Sequence, residues 1–157
     1  MRIIGIDPGT RVTGYGVVER NGSSFKLIDY GIARPKASLP VEERVHFIYH
    51  KLLSIIRKTK PQAMSLEDVF YHRHPRAAIT LGVAKGAAML AAREAGLAVY
   101  QFKPNEVKMA VTGYGLAKKY QVQKMIKMLL NLKTDPEPED AADALALAVC
   151  YLSRNRS

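Results

Sequence analysis

Arg2 to Glu19 reads RIIGIDPGTRVTGYGVVE, two β-forming runs on either side of Pro8-Gly9-Thr10. Arg2 to Asp7 carries three Ile and Val12 to Glu19 three Val, a Thr and a Tyr, β-forming residues, and Pro-Gly is turn chemistry. A third such run, Ser24 to Ala33, follows Asn21-Gly22, a strong hairpin signal. The three together predict a hairpin meander with an acid, Asp7, at the end of its first strand.

Further along, Val41, Val45, Ile48, Leu52, Ile55 and Ile56 recur at helical spacing between Pro40 and Lys60-Pro61, which predicts an amphipathic helix. Gln62 to Phe70 reads as a strand, Arg76 to Ala95 as a helix ending at Gly96, and Leu97 to Phe102 as another strand. Beyond Pro104 the pattern is helical, broken at Gly113-Tyr114-Gly115. Leu116 to Leu132 is expected as one helix and Glu139 to Leu152 as the last, with Pro136 and Pro138 in the connector. No internal repeat is present. The expected fold is a single α/β domain over residues 1–157, its later strands joined by crossover helices and so parallel to the first.

Composition narrows the function. Twenty-four Lys and Arg against fourteen Asp and Glu give a net charge of +10, which suits an anionic polymer. The charges are segregated: Asp135, Glu137, Glu139, Asp140 and Asp143 lie together, whereas Lys103 to Lys127 holds six lysines and one acid, Glu106. The lone cysteine, Cys150, has no internal disulfide partner. The chain opens directly on its first β run and has no apolar stretch near the roughly 20 residues a membrane span needs, so a cytoplasmic setting is expected.

Parallel first and fourth strands would place Asp7 and Glu67 at one sheet edge, where ligands bind in such folds. Asp140 and Asp143, three apart at the start of the last helix, share a helical face and are expected to complete a four-carboxylate cluster. Two like charges 4 Å apart repel by about 4 kcal/mol at an effective dielectric of 20, so a cation belongs among them. All-oxygen ligands favour Mg²⁺, with Mn²⁺ able to substitute. Two ions about 3.5–4 Å apart suit phosphodiester cleavage. Plainer readings stay open residue by residue. Asp7-Pro8-Gly9 also fits a turn closed by an Asx bond, Glu67 a solvated strand end, and Asp140 and Asp143 a helix-dipole partnership.

Three segments, taken together, resemble the RuvC family of Holliday-junction resolvases in order and spacing: Ile4 to Gly16, Leu66-Glu67-Asp68-Val69-Phe70, and Asp140-Ala141-Ala142-Asp143-Ala144-Leu145-Ala146. The resemblance implies a ribonuclease H-like fold with a mixed five-stranded sheet flanked by helices, a homodimer, and Mg²⁺-dependent paired nicking of a four-way DNA junction, in company with branch-migration proteins. It implies metal-binding roles for Asp7, Glu67, Asp140 and Asp143, functional lysines at Lys108 and Lys119, and a base-stacking aromatic at Phe70. Lys118 beside Lys119 leaves the second lysine open by one position. The chain stops at Ser157, without the longer basic tail that some relatives carry.

The basic residues fit such a substrate on their own chemistry. Lys103, Lys108, Lys118, Lys119, Lys124, Lys127, Arg73 and Arg76 are candidates for phosphate contact, although a solvated helix face is the alternative for each. Lys119 near the metals would also stabilise charge on the scissile phosphate. Phe70 and Tyr71, followed by His72, Arg73, His74 and Arg76, read as aromatics that stack bases beside cations, with core packing as the alternative for Phe70. His46 and His50 are spaced to hold zinc but lack a visible third ligand. Small residues between Gly82 and Ala92 would allow close helix pairing in a dimer or against the chain's own sheet. The rival classes are an actin-like nucleotide-binding protein, a non-cutting junction binder, and a related nuclease acting on RNA or an RNA–DNA hybrid.

Overall fold

The computed structural model describes residues 1–68 and 74–155. Five strands, β1 (Arg2–Asp7), β2 (Thr13–Asn21), β3 (Ser24–Ala33), β4 (Ala63–Glu67) and β5 (Ala98–Phe102), form one sheet in the order β3-β2-β1-β4-β5. The meander β1-β2-β3 is antiparallel, and β4 and β5 run parallel to β1. Crossover helices α1 (Val41–Thr59) and α2 (Pro75–Glu94) make the parallel pairing, and α3 (Pro104–Thr112), α4 (Lys119–Leu129) and α5 (Glu139–Arg154) follow. The mixed five-stranded sheet expected from the sequence is therefore present.

Side chains alternate across the sheet. Ile4, Ile6, Val17, Met64 and Leu66 pack under α1 and α2 in one apolar layer, whereas Ile3, Val18 and Ala63 pack under α5, α3 and α4 in the other. Each such Ile or Leu, fully enclosed, contributes roughly 1.5–3 kcal/mol. Alternation has a consequence for the acids: Asp7 follows Ile3 and Gly5, and Glu67 follows Ala63 and Ser65, so both carboxylates emerge on the α5 side. The register, Ile3 beside Ala63 and Ile6 beside Leu66, brings the two strand ends level.

Several boundaries differ from the sequence reading. The fourth strand ends at Glu67 and not at Phe70; Asp68 turns its N–H to the Phe102 carbonyl, and 69–73 lie outside the described residues. The helix expected over Leu116–Leu132 begins only at Lys119 and ends at Leu129. Lys118 is extended there, its N–H held by the Gln121 side chain at 2.7 Å, and Leu116 is left exposed outside the helix. In the β2–β3 hairpin, Gly22 takes the left-handed conformation (φ 61°), inside the ladder closed by Asn21 and Ser24.

Candidate active site

Asp7 owes its free carboxylate to Thr13. The turn after β1 is closed by the Thr13 hydroxyl, which donates to the Gly9 carbonyl at 2.7 Å and accepts from the Gly9 N–H at 3.2 Å. Thr13 therefore replaces the Asx bond considered for Asp7. The same bond occupies the Gly9 N–H that a phosphate-cradling loop would offer to a nucleotide.

The acids of α5 reach the sheet because glycines let the helix lie against its backbone. A Cβ on Gly5 would stand 2.0 Å from the Ala144 carbonyl oxygen, and one on Gly14 would stand 1.9 Å from that of Asp140. Ser65 adds a buried hydrogen bond from its hydroxyl to the Leu147 carbonyl at 2.8 Å. These positioning residues were missed in the sequence. Their signal is glycine inside otherwise β-branched strands, which marks close approach of another backbone.

Asp7, Glu67 and Asp143 line one cleft of about 240 Å³ together with Lys108 and Lys119, walled by Val107, Val122 and Leu147. Lys119 Nζ donates to Asp143 at 2.9 Å and to Glu139 at 2.5 Å. Burial raises the Asp7 carboxyl to about 7, helped by the charges of Asp143, Glu67 and Asp140. Glu67 and Asp143 are also raised, chiefly by burial. Burial works against the Lys119 ammonium, yet its bonds to Glu139 and Asp143 hold it above the ordinary lysine range. Electrostatically, the cleft is short of positive charge.

Asp140 stands in the first turn of α5, close enough to act on Asp7 and Asp143 but outside the cleft lining. Among the described residues, no three acidic, histidine or cysteine side chains form a closed metal cage. The carboxylates converge from separate elements, with Lys119 drawn to Asp143. The donor chemistry nonetheless fits a hard divalent cation: Asp7, Glu67 and Asp143 offer only oxygen ligands to one cleft, and burial with the neighbouring carboxylates drives Asp7 toward protonation without such a charge.

Other candidates fall elsewhere. Lys118 caps α4 outside the cleft, and Arg76 is exposed at the start of α2. Phe70, Tyr71, His72 and Arg73 lie outside the described residues. His46 and His50 meet through their Nε2 atoms at 3.0 Å on the exposed side of α1, with no third metal ligand among the described residues. On α2, Ala84, Ala87, Ala88, Ala91 and Ala92 are buried within the chain's own fold, whereas Ile79, Val83 and Leu90 face outward. No described helix is long and apolar enough to cross a membrane.

A mixed sheet with acids at the level ends of β1 and β4, a third on the helix laid across them, and lysines at the rim defines a ribonuclease H-like nuclease domain. Residues 3–151 match the family model described as crossover junction endodeoxyribonuclease RuvC, and the chain belongs to that family. The protein of that name from Chloroflexus aggregans is 46% identical over 151 residues, covering 96% of this chain and 92% of that one. The one from Caldicellulosiruptor saccharolyticus is 44% identical over 158 residues, covering 100% and 95%. Among solved structures, Thermus thermophilus RuvC in complex with a Holliday junction substrate superposes with a TM-score of 0.95 at 36% identity, covering 99% of this chain and 95% of that one. The family and fold implied by the three sequence segments are thereby borne out.

Proposed function

We propose that this chain is a structure-specific endonuclease that resolves four-way DNA junctions by paired, Mg²⁺-dependent nicks in two opposed strands, serving recombination and repair in the cytoplasm. The observation that carries this reading is the convergence of Asp7, Glu67 and Asp143 with Lys108 and Lys119 on one sheet-edge cleft, in a RuvC family member. Asp7, Glu67, Asp143 and the neighbouring Asp140 would hold divalent ions, Mg²⁺ or Mn²⁺, which when bound supply an activated water and charge stabilisation at the departing oxygen. Four carboxylates, Asp7 with Asp143, Glu67 and Asp140 around it, against the single ammonium of Lys119 suit two ions better than one.

The chain's own residues do the rest. Lys108 and Lys119 place ammonium groups at the rim, where they hold a phosphate and offset charge developing on it. Val107, Val122 and Leu147 line the inner wall and limit water, which strengthens every charge interaction inside. Cleavage at the 3′ oxygen leaves 5′-phosphate and 3′-hydroxyl ends that a ligase can seal. Phe70, Tyr71, Arg73 and Arg76 are assigned to the junction centre, and Lys118 to phosphate contact beside Lys119.

Two symmetric cuts call for two copies of the site, so the active form is a homodimer. The outward stripe of Ile79, Val83 and Leu90 on α2, 67%, 39% and 59% exposed, supplies an apolar face for that contact. Branch-migration proteins are assigned as further partners.

The test is incubation with labelled four-way junction, linear duplex and RNA–DNA hybrid, each with and without Mg²⁺. Paired nicks confined to the junction and to Mg²⁺ are expected. Binding without cutting would make the chain a junction-holding module, and preferential cutting of the hybrid would move it to a different nucleic-acid substrate.

A further inference from the structure

Away from the acid cleft, a second groove of about 840 Å³ is lined by Arg11, Arg34, Lys36 and Arg44, with Thr10 and Thr80. We propose that this groove binds the sugar–phosphate backbone of a duplex DNA arm leading away from the cut site. The proposal rests on the junction-nuclease reading above and adds to it a phosphate-binding surface outside the lysine-rich segment.

Three observations support it. First, four cations surround the groove and no acid lines it. Some cations elsewhere do meet acids, as in Arg2 with Glu19, Lys119 with Asp143 and Arg154 with Glu106. Among the described residues, none of the four groove cations makes an ion pair, and Arg44 keeps an enclosed Nε without a hydrogen-bond partner. Cations gathered without counter-charge fit an anionic ligand.

Second, topology places the groove at the same sheet edge as the acids, on the α1/α2 side of the sheet whose other side carries the carboxylates. β1 and β3 both run antiparallel to β2, so they point the same way. Asp7 pairs with Gly14 and Ala33 with the adjacent Thr13, so the chain leaves β3 into Arg34 at the sheet edge where β1 delivers Asp7. Two strand spacings separate these exits, about 10 Å. Third, that span suits a polymer. Duplex DNA carries one charge per roughly 1.7 Å of axis, so a phosphate in the acid cleft has several neighbours within reach of the groove. Lys108, on the helix that follows β5, and the groove at the end of β3 would then hold the backbone at separate points along the sheet edge.

The experiment measures binding of a fluorescent four-way junction in a metal chelator, over about 50–200 mM salt. It compares the natural chain, Arg34→Ala/Lys36→Ala, Arg11→Gln/Lys36→Gln, and a control, Lys51→Ala/Arg57→Ala, which removes equal charge from exposed positions farther along α1. Arg11, Arg34 and Lys36 are exposed, so the folded state tolerates their loss. Each groove pair should make the plot of log affinity against log salt shallower by about 2 and weaken low-salt binding at least tenfold, with the control unchanged. A natural slope in both groove variants, or an equal loss in the control, would overturn the groove. A natural chain that ignores the junction altogether would instead overturn the reading on which the groove rests.

Discussion

Asp7 is where the chemistry is most exposed to experiment. In the folded, metal-free chain it holds its proton up to about 7, against an ordinary value of 3.8. The folded state therefore binds more protons than the unfolded state between those limits, and stability falls as pH rises from about 4 to about 7, by at most about 1.4 kcal/mol per pH unit. Urea denaturation in a chelator should show this slope, and Asp7→Asn should flatten it while raising stability at neutral pH. Metal uptake must displace the same proton, so calorimetry below pH 7 should detect proton release and weakening affinity. The identical substitution should leave junction binding intact and slow cutting about 1,000-fold or more, because a ligand is lost while the basic surface stays. Cutting at the natural rate would remove Asp7 from the mechanism.

At the scale of elements, α5 decides whether there is a site. Gly14→Ala or Gly5→Ala drives a methyl into helix backbone that no rotamer change can move. Either should cost about 3 kcal/mol or more, at or beyond the upper end of ordinary overpacking, read as a lowered thermal midpoint. Much of this layer was legible in the sequence: the Ile-Gly-Ile-Asp run ending at Pro8, and helical spacing around Ile48 and Leu52, reflect local periodicity that packing reinforces. Other features are set by tertiary contact and left no periodic trace. The start of α4 depends on Gln121 folding back on Lys118, and Asp140, whose backbone is seated against Gly14, stands outside the cleft lining. Glycines 5 and 14 were visible as anomalies, but their partners, Ala144 and Asp140, are more than 120 residues away.

For the whole molecule, charged clefts at the strand ends contrast with an apolar stripe on one helix. The acid cleft and both sets of cations gather toward the strand ends, while α2 turns an apolar stripe outward. If that stripe joins two copies, Val83→Glu/Leu90→Lys should halve the mass seen by sedimentation and convert paired cuts into single nicks, leaving the metal response untouched. Retained dimers would place the contact elsewhere. The buried Cys150 thiol, pushed up to about 12 by its surroundings, should stay inert to alkylating reagents until the chain unfolds.

The seating of α5 on bare glycine carries one more consequence. Where two main chains touch without intervening side chains, warming has no rotamers to loosen, and the spacing of the carboxylates behaves as if cut into a jig. Catalysis should then hold its level until the entire molecule melts, with heat inactivation and global unfolding falling on one curve.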